Sequence, residues 1–127
     1  QRFAMQDLTG MRAKESYIKS KVKNKRLKFS FHNHYMSLLE GVLSRGDRSL
    51  SKVILSAFKK GARFDAWDEH FNFAKWQEAF VESGIDYEIY LKEKLPDESL
   101  PWDFIDTGVS KDYLSLEANK IIAINQH

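Results

Sequence analysis

Apolar residues recur every three or four positions in several stretches of the chain, which is the period of an amphipathic helix. Each stretch is long enough for two or more turns, so the pattern predicts a helix over each of them. A further short helix is predicted over residues 86–91. The positions that carry the pattern are Leu8, Met11, Ile18 and Val22; Met36, Leu39 and Leu43; Leu50, Val53, Ala57 and Phe58; Trp76 and Phe80; and Leu114, Ala118, Ile121 and Ile122.

Small polar residues and glycines stand at the ends of these stretches. Asp, Asn, Ser and Thr side chains accept hydrogen bonds from the first free amides of a helix, and a glycine in the left-handed conformation commonly follows the last turn. These residues therefore predict where the helices begin and end. The predicted starts are Asp7 or Thr9, Asp47 or Ser49, Asn72 and Ser110, and the predicted stops are Gly46 (as a left-handed residue), Gly61 and Gly84.

One segment shows a different period. Leu27, Phe29 and Phe31 alternate with Lys28 and Ser30, and a period of two with aromatic residues is typical of a β-strand. A lone strand leaves its backbone groups unpaired, and no other strand pattern is as clear. The expected pairing partner therefore lies outside the chain or in a second copy of it.

Aromatic residues are concentrated in the middle of the chain, with 6 of them in the 17 positions from 64 to 80. Large rings bury much apolar surface, so this segment predicts an aromatic core. The fold class expected is mainly α, with about five helices around that core and one short strand at about residues 27–31. The 127 residues are expected to form a single domain.

Composition and charge restrict the chemistry. There is no cysteine, which excludes disulfides, thiolate nucleophiles and cysteine-ligated clusters within these residues and fits a reducing cytoplasm. The net charge is only +2, but the charges are unevenly distributed along the chain. Residues 1–64 hold 15 Lys and Arg and 4 Asp and Glu, whereas residues 65–127 hold 5 Lys and Arg and 14 Asp and Glu. This division predicts either an anionic partner for the first half or docking of the two halves on each other.

The densest group of titratable residues is Asp65, Asp68, Glu69 and His70. Three carboxylates beside an imidazole suit acid/base chemistry or a divalent ion, and the alternative is that they cap and solubilise an aromatic turn. This group is the basis of the least favoured hypothesis, an independent hydrolase.

Two further histidines, His32 and His34, lie two positions apart and would face the same side of a strand. A three-histidine metal site that also includes His70 is the weaker alternative to ordinary surface histidines. No spacing in the sequence requires that site.

Three motifs carry a resemblance to a known family: LSRGDR at 43–48, GARFDAWDEHFNF at 61–73 and LPWDFIDTGVSK at 100–111. The stretches 38–91 and 100–114 that contain them resemble the extension following the radical S-adenosylmethionine barrel in large, cobalamin-binding-domain radical proteins of the Fe–S oxidoreductase type. The resemblance implies that the chain is a piece of a larger protein. Residues 1–32 would link the barrel to a helical extension at 33–127.

The resemblance also implies a [4Fe–4S] cluster and S-adenosylmethionine in the parent protein, and cobalamin where the family's cobalamin-binding domain is filled. The cluster-binding motif of the family is CxxxCxxC, which this chain lacks, so no cofactor, metal or catalytic residue carries over to it. The motifs single out candidate residues that either shape a site or hold the fold. These candidates are Arg45, Asp47, Arg48, Arg63, Asp65, Trp67, Glu69, His70, Trp102, Asp106 and Gly108.

The two arginines of the first motif invite a specific hypothesis. Arg45 and Arg48 lie three positions apart across a predicted helix junction, and a guanidinium group binds a carboxylate with two parallel hydrogen bonds. We expect them to pair with carboxylates of the acidic half, with Asp65 and Asp106 the leading candidates. The alternative is that they hold a phosphate or carboxylate of a substrate.

Two functions follow as expectations. The first is a cytoplasmic accessory domain, not catalytic alone, that covers the substrate end of the barrel or docks a protein partner or a second copy of itself. The alternative is an RNA-binding module, in which the lysines of the first helix contact phosphates and Tyr17, Phe29 and Phe31 stack on bases.

Overall fold

The computed structural model describes residues 4–24, 26–95 and 98–124 of the chain. The described residues form a mainly helical fold with six helices and without a β-strand. This confirms the predicted fold class. The short helix predicted at 86–91 is also present. The helices are α1 (Leu8–Lys21), α2 (His34–Arg45), α3 (Leu50–Lys59), α4 (Phe73–Ser83), α5 (Glu88–Leu91) and α6 (Lys111–Ile124).

Side-chain caps place several helix starts where the sequence predicts them. The Asp7 carboxylate accepts a hydrogen bond from the Gly10 amide at 2.7 Å and begins α1. Asn72 accepts from the Ala74 amide at 3.0 Å and begins α4. These bonds satisfy amides that have no partner within the helix. The predicted caps at Asp7 and Asn72 are confirmed.

Two glycines end helices in different ways. Gly84 follows α4 with φ of 63°, the left-handed conformation that a side chain disfavours, as predicted. Gly46 follows α2 in an extended conformation, with φ of −79° and ψ of −179°, so the left-handed stop predicted there is wrong. A Cβ atom at Gly46 would lie 2.0 Å from Cδ1 of Leu50. Glycine is needed at this position because the next helix packs closely against it.

The strand predicted at residues 27–31 is not formed. The segment is irregular, and the Leu27 amide donates to the Asn24 carbonyl at 3.1 Å. The alternation still has a structural consequence, since the rings of Phe29 and Phe31 stack with centroids 6.1 Å apart. A β-ladder needs a second extended segment to supply backbone partners, and the described residues provide none.

The hydrophobic core lies between α2, α3, α4 and α5. Helices α3 and α4 pack against each other, and α5 packs against α2. Aliphatic residues come mainly from α2 and α3, whereas α4 and α5 contribute the large rings, so an aromatic cluster forms one side of this core. The buried cluster consists of Leu39, Val42, Leu50, Val53, Ala57, Ala62, Trp76, Ala79, Phe80 and Tyr90.

The chain divides into two compact units, residues 4–93 with the first five helices and residues 94–124 with α6. In the second unit, the Asp103 carboxylate accepts from the Leu100 amide at 2.8 Å and pairs with Lys111. The Ser110 hydroxyl accepts from the Tyr113 amide at 3.1 Å, as predicted for the start of α6. Every helix in the described part of the chain is too short or too polar to cross a lipid bilayer.

Candidate functional site

The segment that joins α3 to α4, residues 60–72, is named here the aromatic loop. Side chains of α4 hold its first two residues, and its last residue, Asn72, caps α4. The Lys75 ammonium donates to the Gly61 carbonyl at 2.8 Å. Lys60 binds Glu82 at 2.7 Å and Glu78 at 3.1 Å, and the hydrogen bond with Glu82 raises the pKa of Lys60. The loop therefore leaves and re-enters the helical core at defined points.

A buried hydrogen bond fixes the middle of the aromatic loop. The indole nitrogen Nε1 of Trp76 donates to Oδ2 of Asp65 at 3.1 Å, and Trp76 is only 7% exposed. The second oxygen of Asp65, Oδ1, is also buried and accepts no hydrogen bond from the described residues. A carboxylate in this position gives up part of its hydration to hold the loop on the core.

Backbone turns determine which side chains of the loop face solvent. Phe64 adopts φ of 59°, which is rare for a residue with a side chain and costs about 1–2 kcal/mol. The Trp67 amide donates to the Phe64 carbonyl, and the His70 amide donates to the Trp67 carbonyl, both at 3.0 Å. These turns orient the side chains of Phe64 and Trp67 outward.

The exposed rings form one continuous aromatic surface. Phe64 is 67% exposed and Trp67 is 55% exposed, and their rings meet edge to face at 6.0 Å. The His70 ring lies 6.0 Å from that of Phe64. Arg63 lies over the exposed ring of Phe58 at 4.7 Å, as a cation–π pair. The arrangement suits contact with another molecule better than acid/base chemistry.

The predicted aromatic core is thus confirmed for four of the six aromatic residues at 64–80 and wrong for two of them. Trp76 and Phe80 are buried, and Phe71 and Phe73 pack against the core, but Phe64 and Trp67 lie outside it. The sequence contains a signal for this difference. Both exposed residues lie well before Asn72, the cap of α4, and outside the helical period that directs rings to the core, whereas Phe71, which packs against the core, is next to that cap.

The carboxylates of the loop do not converge with its histidine. Asp68, Glu69 and His70 are all exposed, while Asp65 is bound by Trp76. Among the described residues, no three His, Asp or Glu side chains are placed to hold a metal ion. Of the two interpretations of this group, the structure favours polar residues that solubilise an aromatic turn.

The three-histidine metal site is not formed. His34 is the first residue of α2, and its Nε2 lies 2.6 Å from the carboxylate of Glu15. His32 instead lies 3.7 Å from the carboxylate of Glu40. Because Asn33 caps α2 between the two histidines, they do not share the face of a strand as predicted.

The first motif forms the junction between α2 and α3. Arg45 is 8% exposed and donates from Nη2 to the Lys92 carbonyl at 3.4 Å. Oδ1 of Asp47 accepts from the Ser49 amide at 2.8 Å and from the Ser49 hydroxyl, which lies 2.7 Å from the hydroxyl of Tyr90. Arg45 and Asp47 therefore connect this junction to α5 and its C-terminal end. Their role in the structure is to hold the fold.

The predicted pair between Arg48 and Asp65 is absent. Arg48 is exposed, and Asp65 binds Trp76 instead. The reason is local, because α3 starts two residues after Arg48 and leaves its side chain on the outer surface.

The candidates of the third motif form turns within the second unit. The Ile105 amide donates to the Trp102 carbonyl at 2.9 Å. The Asp106 carboxylate accepts from the Gly108 amide at 2.8 Å, and Gly108 has φ of 72°. Trp102 is half-buried, whereas Phe104 beside it is 76% exposed. These residues shape the approach to α6.

Comparison with protein-family models, curated proteins and solved structures gives no match to this chain. A [4Fe–4S] cluster is held by thiolates, and the chain has no cysteine to supply them. The residues present therefore do not fit that group.

Proposed function

We propose that this chain is an accessory domain of a radical S-adenosylmethionine, Fe–S oxidoreductase-like protein, that it is not catalytic alone, and that the aromatic loop is its docking surface. The loop would contact the substrate end of the barrel or a partner protein, within a reducing cytoplasm. The observation that carries the proposal is the exposure of Phe64 and Trp67 within the motif at 61–73, on which the family resemblance depends.

The loop has the properties of a preorganised protein-binding surface. Large exposed aromatic residues act as anchors in protein interfaces because they bury much area with few rotatable bonds. Here three features fix the loop before any partner arrives: the Asp65–Trp76 hydrogen bond, the contacts of α4 with Lys60 and Gly61, and the Asn72 cap. A loop that is already ordered loses little conformational entropy on binding, so its contacts contribute more to affinity.

The basic rim of the surface adds a second element of recognition. Arg63 lies over Phe58 at one edge of the exposed rings, and Lys59 ends α3 beside it. Arginine next to aromatic residues is common at interface hot spots. A complementary surface would combine an apolar patch with one or more carboxylates.

The test uses the full-length parent protein and the isolated 127-residue chain. We expect the anaerobically purified parent to contain a [4Fe–4S] cluster. We further expect the amides of Trp67, His70 and Phe71 to exchange with deuterium more slowly in the parent than in the isolated chain. Protection of these amides by docking is the measured quantity.

A matched pair of variants sharpens the test. Trp67→Ala in the parent should abolish the additional protection of the loop while leaving the cluster absorbance unchanged. Phe104→Ala, which removes an even more exposed ring from the second unit, should leave the loop protected. A parent without a cluster would refute the family assignment, and a loop that exchanges equally fast in both proteins would refute the docking role.

A further inference from the structure

A second surface, separate from the aromatic loop, lies on α1. No residue of α1 is buried. Lys14, Tyr17 and Lys21 are spaced by three and four positions, so they share one face of the helix. Tyr17 is 63% exposed, and the ammonium of Lys21 lies 5.3 Å from the centroid of its ring. This face presents an accessible ring between two cations.

The segment after α1 brings two more rings to the same region. The ammonium of Lys19 lies 5.0 Å from the centroid of the Phe31 ring. Phe31 in turn stacks on Phe29, with 18° between the ring planes, and Phe29 is 46% exposed. Tyr17 and Lys19 lie two positions apart and therefore face different sides of the helix, with Lys21 beside Tyr17 and Phe31 beside Lys19. We name these two faces at the end of α1 together the basic–aromatic surface, and it consists of Lys14, Tyr17, Lys19, Lys21, Phe29 and Phe31.

The charge around this surface is almost entirely positive. The only acidic residue between 8 and 31 is Glu15. The carboxylate of Glu15 pairs with Lys19 and with His34 of α2. It therefore offsets the charge of Lys19, and residues 8–31 contain no second carboxylate to offset the other cations. The described lysines and arginines of this segment are all exposed: Arg12, Lys14, Lys19, Lys21, Lys23, Arg26 and Lys28.

We propose that the basic–aromatic surface binds single-stranded nucleic acid. The lysines would contact successive phosphates, and Tyr17 and Phe29 would stack on bases. Exposed rings can stack only on bases that are not paired within a duplex, which is why proteins that bind single strands combine cationic grooves with aromatic platforms. The proposal concerns residues outside the aromatic loop and does not depend on the docking function.

An anionic membrane is the other partner that a basic helix suggests, but α1 fits it less well. A helix that lies on a membrane carries a broad apolar face opposite its cations. In α1 the exposed large apolar side chains are limited to Tyr17 and Ile18, while Leu8 and Met11 are half-buried. The apolar stripe of α1 is thus partly occupied within the protein, and the helix offers rings among cations rather than an apolar face.

The test measures binding of the 127-residue chain to fluorescent oligonucleotides of about 12 residues, uridine RNA and thymidine DNA, by anisotropy. Matched duplexes and vesicles containing phosphatidylserine serve as competing targets. We expect both single strands to bind more tightly than either duplex. If about three phosphates are contacted, affinity should fall roughly 20-fold between about 50 and 200 mM salt.

Variants separate stacking from simple charge attraction. Tyr17→Ala and Phe29→Ala change exposed side chains and should each weaken binding by about fivefold or more, whereas Tyr17→Phe keeps the ring and should bind as the unchanged chain does. Lys21→Gln should weaken binding and reduce its salt dependence. The controls Lys52→Gln and Phe104→Ala lie elsewhere and should have no effect.

Circular dichroism of each variant checks that the helices are retained. The proposal is overturned if the chain does not bind single strands at low salt, or if duplexes bind equally well. It is also overturned if vesicles compete more strongly than single strands, or if the alanine variants at Tyr17 and Phe29 bind unchanged, since the cations alone would then account for the affinity.

Discussion

Helices α3 and α1 are formed by the same local rules but are held by different forces. In the pair of α3 and α4, Val53, Ala57 and Ala79 have no exposed surface. In α1, all 14 residues retain exposed surface. Burial of apolar area at about 25 cal/mol per Å² stabilises the first pair. An apolar stripe and a good cap therefore determine that a helix forms, but not how firmly it is held.

Two polar contacts attach α1 to α2. Nε2 of His34 lies 2.6 Å from the Glu15 carboxylate, and the Arg12 guanidinium donates to the Tyr35 hydroxyl at 3.3 Å. Solvent still reaches both pairs and screens them, so each contributes little to stability. We expect α1 to open locally more often than the core helices do, because local stability follows the density of buried contacts.

Two tryptophans close together in the sequence, Trp67 and Trp76, differ in burial in the same way. Trp76 is 7% exposed and hydrogen-bonded, whereas Trp67 is 55% exposed. They lie nine positions apart, but only Trp76 falls on the helical stripe of α4. One ring stabilises the core, and the other is available to a partner.

The largest expected effect is the loss of stability when the buried tryptophan, Trp76, is removed from the core. Trp76→Ala should lower the free energy of unfolding by about 3–5 kcal/mol, because it leaves a cavity among Phe80, Ala79 and their neighbours. Trp67→Ala should change it by less than about 0.5 kcal/mol, since its ring is in solvent. Urea denaturation of the two variants measures both values. Equal losses would show that exposure in this loop does not distinguish the two rings.

A smaller effect is expected at the hydrogen bond that connects loop and core. Asp65→Ala leaves the buried Nε1–H of Trp76 without its acceptor, which should cost about 1 kcal/mol. This cost lies at the low end of the range for a buried donor left without an acceptor. The substitution also removes the buried Oδ1 of Asp65, which has no hydrogen bond within the described residues, and losing that atom offsets part of the cost. Asp68→Ala is the matched control, since Asp68 is exposed. Unfolding in urea should leave this control unchanged, and a stabilised Asp65→Ala variant would contradict the anchoring role.

The smallest effect concerns α1 and depends on pH. The hydrogen bond from Lys19 lowers the pKa of Glu15 below the ordinary glutamate value, with His34 contributing further. A lowered carboxyl pKa in the folded state stabilises the protein above the unfolded-state pKa, and this stabilisation is lost as the pH falls through the folded-state value. Acidification should therefore loosen α1 before it loosens α3 and α4.

The measurement is the exchange protection of α1 amides between about pH 6 and pH 3, corrected for the intrinsic exchange rates. Glu15→Gln should remove the part of the pH dependence that comes from this carboxyl group. Glu69→Gln, an exposed glutamate outside α1, should leave that dependence intact. If the Glu15→Gln variant retains the full pH dependence of the unchanged chain, other groups attach α1 to α2.

Local chemistry in the sequence was sufficient to predict the helices. The spacing of Leu50, Val53 and Ala57 predicts α3, and Asn72 and Gly84 predict the two ends of α4, because caps and stripes act within a few residues. The same reasoning placed Trp76 and Phe80 in the core. It spread the candidate residues over three motifs, at 43–48, 61–73 and 100–111, and it did not predict that Phe64 and Trp67 in the second motif are exposed.

Contacts between distant residues decided the rest. No local rule shows that Asp65 binds the indole of Trp76 rather than Arg48, or that His34 pairs with Glu15, since the partners are brought together only by the packing of the helices. The strand predicted at 27–31 failed for the same reason, because a strand exists only with a neighbour. The hydrophobic period and the helix caps are local features that can be read from the sequence. Side-chain pairing and exposure depend on which residues the fold brings together.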